Sequence, residues 1–231
     1  MKKNIVVLTG AGISAESGIK TFRDADGLWE GHDVMEVATP QGFAKNPELV
    51  LEFYNQRRKQ LVTVKPNAAH YALATLQKYF KVHVVTQNVD DLHERSGSKE
   101  VTHLHGELLK ARSSIDDSLI YSRSKDILIG DLCEKKSQLR PHIVWFGEDV
   151  PLMDKAIEII KKADALLIIG TSMQVYPAAG LIDYARTNIP IYFIDPHPKV
   201  AKNDYNNLTI IAESATKGVP IAVNSLIDTM L

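Results

Sequence analysis

The chain has 231 residues, 45% hydrophobic and 24% charged, with a formal net charge of −1. A chain of this size buries one large core, or one large and one small lobe, and its even charge balance leaves no electrostatic footprint for nucleic acid or an anionic membrane. The start, MKKNIVVLTG, has a four-residue apolar run, short of the roughly 7–15 of a signal peptide, and no run approaches the ~20 residues of a membrane span. Cys133 is the one cysteine, which excludes an intrachain disulfide and a multi-thiolate zinc site. The expectation is a cytoplasmic protein with no nucleic-acid or membrane partner.

The first predicted element is a strand over Asn4–Thr9, followed by GAGISA, in which Gly10, Gly12 and Ala15 fit GxGxxA. That pattern marks either a dinucleotide loop, where glycines let the backbone approach a pyrophosphate, or a plain strand-to-helix turn. A dinucleotide fold should then show a second strand ending in an acid about 20 residues on, but TFRDADGLWEGHD is polar and Gly-punctuated and does not read as a strand. Helical periodicity follows over 47–64 and 67–79, a strand over Lys81–Thr86, and then strands over 142–146, Ala165–Ile169, 189–194 and 208–212. Further helices are predicted over 153–163, 177–188 and 219–230. Strand-helix alternation argues for an α/β fold, a parallel sheet with helices on both faces. Residues 31–65, mostly helical, and 107–139, polar and weakly periodic, break the alternation. They read as a small, mainly helical lobe inserted into a sheet domain made of 1–30, 66–106 and 140–231.

Ligands in open α/β sheets bind beyond the carboxyl ends of the strands. The loops there, TGAGIS, TQNVDDLHERSG, GTSMQVYP, IDPHP and AESATKG, are rich in Gly, Ser, Thr, Asn and Asp. His103 and His105, two apart, share a face of an extended segment as a metal pair could, but no third ligand lies near in sequence, so a metal is not expected. His70, His83 and His93 read as structural.

Taken together and in order, GAGISAESGIKTFR, TQNVDDLH, HLHGEL, RPHIVWFGE and GTSMQVYPAAG resemble the sirtuin family of NAD-dependent protein lysine deacylases over nearly the whole chain. The resemblance implies a Rossmann-like domain, a small helical and zinc-ribbon lobe, and NAD consumed as a co-substrate to give nicotinamide and O-acyl-ADP-ribose. It places Gly10, Ala11, Gly12 and Ser14 at the pyrophosphate, where free backbone N–H groups and a helix N-terminus suit anionic oxygens. Phe22 and Arg23 cover the ribose, Gln87, Asn88 and Asp90 form the ribose and nicotinamide pocket, and Gly170, Thr171 and Ser172 hold phosphate and adenosine ribose. Asp195, where the family commonly has Asn, and Ala215 fall on the adenosine side. His105 is implied as the catalytic base, with Asn88 beside it; an imidazole suits that task because its pKa of about 6.5 sits near neutral pH. Phe146, Gly147 and Glu148 are the implied contacts to a substrate peptide adding as a strand. Acylated-lysine proteins are the implied partners. A dehydrogenase, a mono-ADP-ribosyltransferase and a non-catalytic NAD or ADP-ribose sensor are the rival readings.

Two features stand apart. At 100° per residue, Val50, Phe53, Tyr54, Arg57, Leu61 and Val64 fall within about 100° of arc, which turns Arg57 inward while Arg58 and Lys59 are free to face solvent. A buried guanidinium needs an anion, either a structural carboxylate or a ligand. In sirtuins a Tyr-x-x-Arg pair here marks enzymes that remove succinyl, malonyl or glutaryl groups, and Ala25 matches a small residue that widens the acyl pocket. The family's two Cys pairs are also missing: Ser113 and Ser114 stand near the first pair and Cys133 near the last ligand. No structural zinc is therefore expected, and Ile115, Leu119, Ile120, Ile127, Leu128, Ile129 and Leu132 are expected to supply a small apolar core instead.

Overall fold

β-Branched and leucine-rich runs build the centre of the molecule. The computed structural model describes residues 2–20, 28–29, 31–201, 204–205 and 207–231. In chain order the elements are β1 (Asn4–Thr9), β2 (Leu28–Trp29), β3 (His32–Asp33), α1 (Val34–Val37), α2 (Pro40–Lys45), α3 (Pro47–Thr63), α4 (Ala68–Leu76), β4 (Lys81–Thr86), α5 (Leu92–Arg95), β5 (Val101–His103), β6 (Gly106–Ser113), β7 (Ile120–Ser122), β8 (Leu139–Ile143), α6 (Met153–Lys161), β9 (Ala165–Ile169), a 3-10 helix (Ala178–Tyr184), β10 (Ile191–Ile194), β11 (Leu208–Ile211) and α7 (Ala215–Met230).

Among the described residues, six strands form one sheet in the order β11-β10-β9-β1-β4-β5, and every pairing in it is parallel. Parallel strands covered on both faces need apolar side chains in both directions, and β1 and β9 supply them. Ile5, Val7, Leu167 and Ile169 pack with α4 and α7 on one face, whereas Val6, Leu8, Leu166 and Ile168 pack with α6 and the 3-10 helix on the other. β1 sits between β4 and β9 in the middle of the sheet, so its exit loop meets theirs at a shared edge.

α3 begins where Asn46 caps Leu49 N–H and Pro47 occupies the first turn, a combination that fixes a helix start. Its apolar stripe, Val50, Phe53, Tyr54 and Leu61, packs with Leu108, Ile143 and Trp145. The strands β7-β6-β8 form a separate antiparallel sheet, so the inserted region is part helix and part sheet rather than mainly helical.

Three expectations are corrected. The 177–188 helix is a 3-10 helix over Ala178–Tyr184. The 142–146 strand is β8, ending at Ile143; the chain beyond leaves the ladder, with Val144 N–H donated to His105 O and Phe146 N–H to Ala38 O, both at 2.9 Å. The predicted apolar core in 115–132 does not form: Ile127 is buried with Leu51, Ala111, Cys133 and Leu139, with Leu119 partly buried against them, but Ile115, Ile120, Leu128, Ile129 and Leu132 are exposed. No helix among the described residues is long and apolar enough to cross a membrane.

Candidate functional site

The loops leaving β1 and β9 touch through glycine. Gly12 N–H donates to Gly170 O at 2.8 Å and Gly10 N–H to Ile169 O at 3.0 Å. A Cβ on Gly12 would lie 2.6 Å from Gly170 Cα, and one on Gly10 would lie 2.8 Å from both Gly170 O and Thr171 Cβ. Gly170 itself has φ +60°. The small residues are thus required first by the contact between two loops. This revises the expectation of a row of free N–H groups at a helix N-terminus: Ile13 and Ser14 also donate within the loop, to Gly10 O and Ala11 O, and the loop continues as short 3-10 turns.

The loop after β4 supplies the polar wall. Asn88 Nδ2 donates to Gly10 O at 3.1 Å and Ser14 Oγ at 3.3 Å, Asn88 N–H donates to Thr86 Oγ1 at 3.0 Å, and Ser14 Oγ donates to Asp90 Oδ2 at 2.9 Å. Gln87 Nε2 reaches Thr171 Oγ1 at 3.3 Å. Asn88 and Asp90 are 8% and 5% exposed, so these bonds fix the side chains in one arrangement. Burial pushes the Asp90 carboxyl above its ordinary pKa, against the Leu92 and Ser14 hydrogen bonds that pull it down.

His105 follows β5 and shares a cleft of about 310 Å³ with Gly10, Gly12, Ser14, Asn88 and Thr171. Ala11, Gln87, Asp90, Gly170, Ser172, Phe146, Gly147, Glu148 and Tyr54 line the same cleft. His105 Nδ1 lies 3.1 Å from Gln87 O. A carbonyl only accepts, so Nδ1 carries the proton and Nε2 carries the basic lone pair. Burial lowers the His105 pKa, and the Gln87 bond offsets part of that.

His103 does not join His105 in a metal pair. Its Nδ1 and Nε2 lie 2.8 Å from Asn88 O and Glu94 Oε1. Burial pulls its pKa down, but Glu94 and the Asn88 carbonyl hold it above the ordinary histidine value. His70 and His93 are buried with rings 5.0 Å apart; His70 completes the α4 cap and His93 Nε2 meets Thr9 Oγ1 at 3.1 Å. Among the described residues no cluster of three His, Cys, Asp or Glu could hold a metal. Cys133 Sγ donates to Ser113 Oγ at 3.3 Å, and Ser114 Oγ pairs with Ser137 Oγ.

A side chamber of about 60 Å³ shares Lys20, Trp29, Tyr54 and Asp90 with the cleft and adds Arg57. Arg57 is half-buried. Its Nη1 donates to Phe53 O at 2.6 Å and its Cζ lies 3.3 Å from the Phe53 ring centroid. Arg58, expected at the surface, is fully buried: Nε donates to Leu108 O at 3.1 Å and Nη1 to Asn55 Oδ1 at 2.7 Å. With Leu51 and Asn55 it makes a second inward stripe on α3, which a search for apolar periodicity passes over because two of its three members are polar.

Phe146, Gly147 and Glu148, the expected peptide contacts, line the cleft, and two of them carry bonds of their own. Phe146 N–H is already donated to Ala38 O, and the Glu148 carboxylate accepts from Arg112 Nη2, Arg140 Nη1 and Nη2, and Trp145 N–H. Glu148 is therefore a structural anchor whose oxygens are occupied. Asp195 and Ala215 lie at the end of β10 and the start of α7, outside the described cleft lining. Phe22, Arg23 and Ala25 fall outside the described residues. The sequence reading missed Lys20, Trp29 and Trp145; the available signal was that the chain has two tryptophans and both lie here.

Known proteins resemble the chain across its length. The Sir2 family matches residues 10–177. An NAD-dependent protein deacylase of Helicobacter pylori is 59% identical over 226 residues, 98% of each chain, and one of Bacteroides thetaiotaomicron is 51% identical over 223 residues, 94% of this chain and 95% of the relative. A solved Sir2 homologue–NAD complex has TM-score 0.87 at 38% identity, covering 100% of this chain and 91% of that one. A Sir2–p53 peptide–NAD+ structure has TM-score 0.77 at 29% identity, covering 98% of this chain and 93% of that one. Family match, near-complete coverage and a shared fold lead to one conclusion: the chain belongs to the Sir2 family.

Proposed function

We propose that this NAD-dependent protein lysine deacylase prefers acyl groups that end in a carboxylate, succinyl or malonyl, over acetyl. The observation that carries the proposal is the side chamber, where Tyr54 and Arg57 meet beside the cleft that holds His105. A carboxylate there can accept from a guanidinium and a phenol. An acetyl methyl can accept from neither.

The residues present suit NAD. Glycine contacts that a Cβ would obstruct keep the floor of the cleft low, and hydroxyl and amide groups dominate its polar wall, matching phosphate, ribose and carboxamide. Ala11, Ser14, Gln87, Thr171 and Ser172 would hold the dinucleotide, with Asn88 and Asp90 at the nicotinamide ribose. When bound, NAD supplies an electrophilic ribose carbon from which nicotinamide departs. His105 stays neutral because burial lowers its pKa, so Nε2 is ready to accept a ribose hydroxyl proton while Nδ1–H holds Gln87 O. The pinned Asn88 amide orients rather than rearranges. The same reading takes 1–30, 66–106 and 140–231 as the NAD-binding unit and 31–65 with 107–139 as the small lobe, supported by two apolar clusters confined to the first and one confined to the second, while a fourth cluster joins the two. A cytoplasmic site of action agrees with a single cysteine.

The test is steady-state kinetics on matched acetyl and succinyl peptides. With a net gain equal to one charge-assisted bond, about 1.5–3 kcal/mol, after the cost of desolvating the carboxylate, wild type should favour succinyl by roughly ten- to a few hundred-fold in kcat/KM. Arg57→Met should remove most of that preference by raising KM for the succinyl peptide, because the carboxylate lies away from the reacting carbon. A wild type that prefers acetyl, or an Arg57→Met enzyme weakened equally on both peptides, rejects the proposal.

A further inference from the structure

The Trp145 indole Nε1 lies 3.0 Å from Tyr54 Oη. Trp145 is 2% exposed and Tyr54 is fully buried, so water does not compete for either group. An indole N–H can donate but never accept. The Tyr54 oxygen is therefore the acceptor in this pair, and its own proton is left to donate elsewhere.

Trp145 cannot easily release that hold. The Arg140 Cζ sits 3.3 Å from its ring centroid, the Phe43 ring lies 5.3 Å away, and its backbone N–H is tied to Glu148 Oε2 at 2.8 Å. Tyr54 is braced as well, edge-on to Phe53 at 5.1 Å and to Trp29 at 6.2 Å. Rotation of either ring would break close aromatic packing.

We infer that Trp145 is a specificity-positioning residue, which fixes the Tyr54 hydroxyl as a dedicated donor to the acyl carboxylate. This rests on the carboxylate reading of the side chamber. Tyr54 lines both the cleft and that chamber. A phenol without the indole could turn its proton toward a different acceptor and offer its lone pairs to the ligand, repelling a carboxylate. With the indole in place, only the donor face remains. Burial also raises the Tyr54 pKa, the Trp145 bond and the Arg140 and Arg57 charges opposing it, so the donor proton persists at neutral pH. The Arg140 and Arg57 charges act on the hydroxyl against the Glu148 carboxylate, which opposes them.

The experiment is a double-mutant cycle in Tyr54→Phe and Trp145→Phe, read as the succinyl-to-acetyl ratio of kcat/KM on matched peptides. Tyr54→Phe should lower the ratio about tenfold or more. Trp145→Phe keeps an aromatic ring, removes the N–H, and should lower the ratio roughly three- to tenfold, chiefly through KM of the succinyl peptide. Added to Tyr54→Phe, it should change the ratio by less than about twofold. Independent, multiplying effects, or an equal loss on both peptides, would show that Trp145 only packs and would overturn the inference. Should Trp145→Phe fail to fold, indole ¹⁵N–¹H resonances decide, because the chain has two tryptophans and Trp29→Phe assigns them. The Trp145 signal should shift on Tyr54→Phe and on binding succinyl but not acetyl peptide, and an unmoved signal overturns the inference. A wild type with no succinyl preference removes this inference together with the carboxylate reading. Retained preference in Trp145→Phe, alongside its loss in Arg57→Met, removes this one alone.

Discussion

The two larger sheets among the described residues are held by different means. In the parallel sheet, β1 and β9 bury nearly every side chain in apolar contacts on two faces. The antiparallel sheet leaves Ile120 exposed on β7, and the segment it shares with 115–132 exposes four more large apolar residues. Its attachment adds buried polar bonds to the apolar contacts that Leu108, Ile143, Ala111 and Leu139 make with α3. Arg112 and Arg140 converge on Glu148, Arg58 donates to Leu108 O, and the Asn55 amide pairs with both N–H and C=O of Ile127 at 2.9 and 3.0 Å. A region that leaves much of its apolar surface exposed is fixed also by directional bonds from neighbouring elements, each of which is costly to remove because its partners are buried.

Breaking the polar attachment should therefore cost the most. Glu148→Ala takes the carboxylate from Arg140 and leaves Arg112 only Asp117 at 3.4 Å, the two guanidiniums being 8% and 7% exposed, and should destabilise the fold by about 3–5 kcal/mol in denaturant titration. Acid probes the same anchor. Burial pushes the Glu148 pKa up, but Arg140, the Trp145 N–H and Arg112 overcome this and hold it below the usual carboxylate value. Its contribution is thus complete above the unfolded pKa of about 4.3 and is lost as pH falls through the lower folded value; Glu148→Ala should flatten stability against pH in that window. The parallel sheet predicts the reverse pattern, function lost with the fold intact. His105→Ala should reduce deacylation by a factor on the order of 10² or more, while calorimetry still detects NAD binding and the melting temperature stays put. The smallest effect sharpens the contrast: Asn55→Ala should cost about 1–3 kcal/mol for the two backbone groups and the Arg58 Nη1 it leaves unpaired and should speed hydrogen exchange at Ile127 before any amide of β1 or β9. Uniform loss of protection across both sheets would mean that they are one cooperative unit.

The same contrast decides what a linear reading can recover. β1, β4 and β9 are legible to the residue, because continuous β-branched runs bounded by Gly, Asn and Thr leave few alternatives. So is the start of α3, signalled by Asn46 and Pro47. β6 was not legible: Glu107, Lys110 and Arg112 interrupt its alternation, and the buried Arg112 reads as a surface residue until its partner Glu148, 36 positions away, is brought alongside. Arg57 and Arg58 show the same limit. Periodicity selected Arg57 for the interior, yet Arg58 is the fully buried one, since acceptors from Leu108 and Asn55 accommodate it. His105, Asn88, Asp90 and the glycines were placed by ordered motifs and do gather at one cleft. The Trp145–Tyr54 bond spans 91 positions, and no local pattern encodes it.

The contact between Gly12 and Gly170 bears on motion. Because the two backbones touch with no side chain between them, a shift of either loop meets the other directly, with no rotamer between them to absorb it. From that contact a chain of bonds runs through the Thr171 hydroxyl to Gln87, whose carbonyl holds the His105 ring. The two ends of the cleft thus share one continuous set of contacts.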